Sequence, residues 1–214
     1  MNDQRLRAAQ ALTGTIFAGF LFLHLFNQML AARGAATYDA VQGTLRAGYQ
    51  TPLVEVGLVL TPLVLHAGLA VRSMWRRRGS SAPAPTGLAR VHRWSGRVLL
   101  LFFVGHVLAT RLPSLLADAA PGFAGVAFTF KWVPLWFWPY YPTLALAGWF
   151  HLLYGLGTSL PQLGFKPAAR LLNRRTLLSV FALGAVALLA AVWTFGHADD
   201  AVMQSKFARW YLER

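Results

Sequence analysis

Along this chain, five stretches of about twenty residues carry almost only apolar side chains, and the polar and charged residues collect between them. A helix rises ~1.5 Å per residue, so a run of that length crosses a hydrocarbon core ~30 Å thick. The runs fall at about 11–30, 51–71, 94–112, 142–160 and 177–195. The pattern therefore predicts an all-α fold, an integral membrane bundle of five transmembrane helices forming one domain over residues 1–214. The first run holds no charge, is too long for the core of a signal peptide and lacks a small-residue cleavage site, so it reads as a retained span. Thr51 and Pro52 suit the start of the second, because threonine caps a helix and proline fits its first turn. Glycine, serine, proline and arginine between the second and third runs mark a loop. After the third run, Pro113 and Pro121 interrupt the pattern, and Phe123, Trp132, Trp136, Phe137, Trp138, Tyr140 and Tyr141 follow. Trp and Tyr favour the headgroup level, so this stretch is expected as an interfacial loop or shallow helix. The residues after the fifth run read as a polar tail.

Composition fits that map. Hydrophobic residues make up 56% of the chain and charged residues only 13%, against about a quarter charged in soluble domains. Lys and Arg number 20 against 7 Asp and Glu, a net charge of +13. In a soluble protein that balance would point to nucleic acid. Here the cations sit in connections, so lipid headgroups or an acidic partner fit and no nucleic acid is expected. Five spans put the amino end, the second-to-third connection and the fourth-to-fifth connection on one side, and Arg76, Arg77, Arg78, Arg170, Arg174 and Arg175 lie there. By the positive-inside rule that side is cytoplasmic, which leaves Asp199, Asp200 and the carboxyl end outside.

Candidate chemistry comes from histidine. The chain has no cysteine, which excludes thiolate ligands and thioether-linked haem, and its methionines form no plausible axial set. Of six histidines, His24, His66, His106 and His151 fall one in each of the first four runs. A single intramembrane histidine can simply hydrogen-bond to a neighbouring helix, but one on each of four consecutive spans points to a shared site. Neutral imidazole ligates haem iron, and two facing imidazoles complete a centre suited to electron transfer. Zinc fits less well, because it gathers ligands around one point and these four lie at two depths. With alternating span direction, His24 and His106 fall nearer the outer face and His66 and His151 nearer the inner face. The expectation is a dihaem four-helix core, with an outer haem b on His24 and His106 and an inner haem b on His66 and His151.

Small residues support room for a flat macrocycle. Gly14 and Gly96 each precede a histidine of the outer pair by ten residues, and Gly105, Gly68, Gly148 and Gly155 are near ligands. Arg93 and Arg97 suit the propionates of the inner haem and Arg111 those of the outer, although snorkelling to headgroups fits equally. His92 is read either as a packing residue or as a contact to a propionate or quinone, and His197 as a solvated tail residue. Glu55, the one carboxylate within any of the runs, reads either as a quinone proton acceptor near the outer haem or as an acid stabilising a helix start.

Four segments in order carry a resemblance: GTIFAGFLFLHLFN, LVLHAGL, HRWSGRVLLLFFVGH and WFHLLYGLG. Together they resemble the five-helix dihaem cytochrome b membrane anchor of succinate dehydrogenases and fumarate reductases, the succinate:quinone oxidoreductases. The resemblance implies a bacterial inner membrane location, with a flavoprotein subunit and an iron–sulfur subunit docked on the cytoplasmic side. It implies electrons exchanged through the haems with menaquinone or ubiquinone as substrate, and room for an oligomer of the whole complex. On that reading the chain is a non-catalytic or quinone-reactive subunit of an oxidoreductase. Two alternatives stay open: a stand-alone dihaem electron-transfer protein with other partners, similar in task to cytochrome b561, and a haem-free membrane scaffold or transporter.

Overall fold

The computed structural model describes residues 3–77 and 85–213, and among them there is helix but no strand. Nine helices follow one another: α1 (Asp3–Leu30), α2 (Ala35–Tyr49), α3 (Pro52–Arg77), α4 (Gly87–Ala117), α5 (Phe123–Trp132), α6 (Pro134–Gln162), α7 (Pro167–Leu171), α8 (Arg174–Gly196) and α9 (Lys206–Leu212). Arg78, expected in the basic cluster, lies outside the described residues.

Four of these, α1, α3, α4 and α8, are long and apolar enough to cross a membrane. The chain is thus a transmembrane helical bundle. The helix α6 matches them in length at 29 residues, but with Trp, Tyr, Pro and His among its leucines it is not one of the four that hydropathy marks as spans. It begins at Pro134, eight residues before the expected fourth span. Proline suits that first turn, since its missing N–H would be unpaired there anyway. The aromatic stretch is therefore not one interfacial loop: it divides into α5 and the opening turns of α6.

Helix α1 packs on α3, α6 and α8, α6 packs on α4 and α8, and the helices α3, α1, α6 and α4 line one cavity. Across that cavity α3 and α4 are tied by the ion pair of Glu55 with Arg111. Outside the four, Leu25 of α1, Trp149 and Phe150 of α6 and Leu188 of α8 form a buried seam. Gly184 makes the seam possible, because a Cβ there would overlap the Trp149 indole, which donates to the Val180 carbonyl at 3.3 Å.

One end of the bundle carries a second core. Tyr38 of α2, Phe123 and Phe128 of α5, Phe195 of α8, and Phe207 and Ala208 of α9 are buried together. Full burial of each aromatic side chain stabilises by roughly 1.5–3 kcal/mol. The tail is therefore not simply polar: Ser205 caps α9 by accepting from the Ala208 N–H at 3.1 Å, and α9 lies against α5. Pro113 explains the rest of its docking. Proline has no N–H, so it cannot satisfy the carbonyl four residues earlier in α4. That carbonyl belongs to Ala109, and the Tyr211 hydroxyl donates to it at 2.6 Å. Lys131 pairs with Asp200 at 2.8 Å, and its ammonium holds that carboxyl below the usual range. Burial pushes the Tyr38 phenol up, and Gln28 donates to its oxygen at 3.1 Å. We call this end capped and the opposite end, with Arg7, Arg77, Arg93 and Arg97, basic.

Candidate functional site

A continuous cavity of about 680 Å³ runs through the bundle from the basic end to the capped end. His24, His66, His106 and His151 all line it. They meet in twos. The rings of His24 and His106 have centroids 6.0 Å apart at 74°, and those of His66 and His151 are 6.2 Å apart at 78°. Each pair spans two helices that are not neighbours in the sequence α3, α1, α6, α4, so both pairs lie on diagonals of the bundle. These are the two pairs that the depth argument joins.

The glycines fix the relative levels. A Cβ on Gly14 of α1 would meet the His66 ring at 2.7 Å, and one on Gly96 of α4 would meet the His151 ring at 3.0 Å. The first leaves space only for hydrogen, and the second is tight enough that the ring would have to give by a few tenths of an ångström. Gly14 and Gly96 are each ten residues from the histidine on their own helix, which places the two pairs ~15 Å apart along the bundle. The gaps expected beside the outer pair thus serve the other pair. Gly148 and Gly155 also line the cavity, whereas Gly68 and Gly105 are not among its lining residues.

Hydrogen bonds orient three of the four imidazoles. His66 Nδ1 lies 3.1 Å from the Gln10 carbonyl, which can only accept, so Nδ1 carries the proton and Nε2 keeps its lone pair. Ser95 donates to the His92 carbonyl at 2.9 Å, leaving its oxygen to accept from His151 Nδ1 at 3.3 Å. His106 Nδ1 lies 3.2 Å from the Tyr140 hydroxyl. His24 stacks on Phe20 at 5.7 Å and 18°. Outer partners of this kind are what orient ligating histidines and raise their basicity.

The donor set and spacing fit an ion held between two imidazoles. A metal–nitrogen bond of about 2 Å on each side, plus roughly 1.1 Å from nitrogen to ring centre, separates two coaxial rings by about 6 Å. Among the described residues, no three or more His, Cys, Asp or Glu side chains gather as a metal-binding group.

The remaining candidates divide between the ends. At the capped end Arg111 donates to both carboxylate oxygens of Glu55, at 2.5 and 2.7 Å, and to the Ser114 hydroxyl at 3.2 Å. Arg46 of α2 donates to the same hydroxyl at 3.2 Å. Glu55 opens a π-helical segment, Glu55–Leu60, a local widening that recurs at functional sites. Arg93 and Arg97 line the cavity at the basic end, with Arg97 4.6 Å over the Trp94 ring. His92 stacks on His151, with ring centroids 4.2 Å apart at 13°. His197 is an exposed residue stacked on Trp193 at 3.7 Å. Sequence reasoning missed Gln10, Arg46, Ser95 and Tyr140. For Arg46 the signal available was the helical spacing of Tyr38, Gln42, Arg46 and Tyr49.

Compared with protein-family models, curated proteins and solved structures, the chain matches none.

Proposed function

We propose that this chain is a dihaem cytochrome b that carries electrons across the membrane as the quinone-reactive anchor of a succinate:quinone oxidoreductase. The observation that carries the proposal is the pair of facing imidazole couples, at 6.0 and 6.2 Å, on the diagonals of one bundle. In this reading α6 is the remaining span, making five, and the basic end faces the cytoplasm of a bacterium. His66 and His151 would hold the inner haem b, and His24 and His106 the outer. Arg93 and Arg97 offset propionate charge at the inner site. A haem iron held by two imidazoles would supply one-electron transfer.

The chain's own residues supply the rest. Gln10, Ser95 and Tyr140 keep three ligand rings oriented with Nε2 presented. Quinol oxidation releases two protons with two electrons, and Glu55, which lines the cavity at the capped end, is the base that takes up a proton on a carboxylate oxygen. Arg111 holds that carboxylate in place and also offsets outer propionate charge. The basic end docks the acidic face of an iron–sulfur subunit, itself bound to a flavoprotein subunit. That identity rests on the resemblance of the four histidine segments, and menaquinone or ubiquinone is the substrate.

Purification in mild detergent tests both levels. A pyridine haemochrome assay is expected to give two b-type haems per chain, with a flavoprotein and an iron–sulfur protein attached. One haem or none would contradict the dihaem core. Two haems with neither partner attached would leave a stand-alone electron-transfer protein.

A further inference from the structure

The basic end holds a third histidine that the ligand pairs do not use. His92 lies on α4 one turn before Gly96, against α6, where its ring is 4.2 Å from His151 and 4.8 Å from Tyr154. Its Nε2 is fully buried and has no hydrogen-bond partner, one of two such side-chain atoms among the described residues. A buried ring nitrogen without a partner is destabilising, because it has given up water and gained nothing in exchange. Such a nitrogen is aimed at something that completes it. Nε2 lies close to Gly155, where a Cβ would stand 3.6 Å away in ordinary contact, and both residues line the cavity.

The charges nearby say what chemistry belongs there. Arg7, Arg77 and Arg93 line the same end of the cavity. The one carboxylate among the lining residues, Glu55, is paired with Arg111 at the opposite end. An end lined by several guanidinium groups with no acid of its own calls for an anion.

We infer that His92 is a positioning residue that donates from Nε2 to a carboxylate group reaching the basic end of the cavity, and that the carboxylate is a propionate of the inner haem. The inference rests on the dihaem reading and deepens it. His92 then performs two tasks that can be separated. Its ring face packs on His151, and its edge holds the carboxylate. Neutralising part of that charge favours the reduced iron, so losing the donor lowers the potential of the inner haem alone.

The test is an optical redox titration of the purified complex carrying His92→Phe or His92→Gln. Phenylalanine keeps the stacked ring and loses the donor, whereas glutamine keeps a donor and loses the ring. The inference expects a downward shift of the inner-haem midpoint in His92→Phe, a midpoint near that of the unmodified protein in His92→Gln, and an unmoved outer haem in both. The reverse order, with Phe unchanged and Gln shifted, would overturn it in favour of ring packing alone. A shift of both haems together would overturn it as well. Where the phenyl ring prevents assembly, His92→Ala replaces it, with the same downward shift expected and an unchanged midpoint contradicting the inference. If the unmodified protein carries no haem by the haemochrome assay, the dihaem reading itself fails, and that result is read before any variant is made.

Discussion

At the basic end, His66 and His151 are oriented by a backbone carbonyl and a serine hydroxyl, each packed against a glycine, with no room for a methyl group at Gly14 and a tight fit at Gly96. At the capped end, His24 and His106 meet a phenyl face and a tyrosine hydroxyl, beneath a core built from four separate helices. The first arrangement is stiff. Backbone and side chain meet across two helix contacts, and close packing transmits any change of volume directly. The second depends in addition on the cap, since α2, α5 and α9 must all dock before that end is closed. The two pairs should therefore fail in different ways, the basic pair to a single methyl group and the capped pair to a loosened cap.

The largest effect is expected from Gly14→Ala. The added Cβ would stand 2.7 Å from the His66 ring, so the imidazole must move and the inner haem should be lost from most molecules while the outer is retained. Gly148→Ala is the control, because its Cβ would meet Leu25 and Leu99 at ordinary contact distances of 3.6 and 3.9 Å, and both haems should remain. Equal loss of both haems in Gly14→Ala, read in the haem absorption bands, would remove the contrast between the ends.

Next comes Glu55→Gln, which keeps the shape and one of the two acceptors for Arg111 but removes the base. Both haem spectra should stay intact while quinol-linked turnover falls roughly a hundredfold, the scale of a lost general base. Normal turnover in a fully loaded variant would reduce Glu55 to the ion-pair partner of Arg111. The smallest effect is expected from Tyr211→Phe, which leaves the Ala109 carbonyl without the donor that Pro113 denies it. A loss of about 1 kcal/mol is expected in thermal or denaturant unfolding of the detergent-solubilised protein, with the capped end exchanging amide hydrogens faster. An unchanged exchange pattern would show that the tail does not hold that end.

Much of this was legible in the chain because hydrophobic runs and the histidines set within them are local signals. His24, His66, His106 and His151 stand out against apolar neighbours, and alternating span direction sorts them into two depths. What the sequence hid was relational. Gly14 precedes His24 by ten residues, yet its neighbour in space is His66, forty-two residues beyond His24 on another helix. Ser95 and Tyr140 look like ordinary residues of a helix and an aromatic stretch until their partners His151 and His106 are known. The α6 start was obscured by Trp and Tyr, whose interfacial preference masks continuous helix. The tail was obscured by its polarity, although Phe207, Ala208 and Tyr211 of α9 join the buried core.

The central claim is that two haems sit in two separate imidazole pairs, and single histidine variants followed by low-temperature absorption and electron paramagnetic resonance test it most directly. His24→Ala and His106→Ala should remove the same spectral component, and His66→Ala and His151→Ala should remove the other. If His24→Ala and His66→Ala abolished one and the same component while the other persisted, the pairing would be wrong.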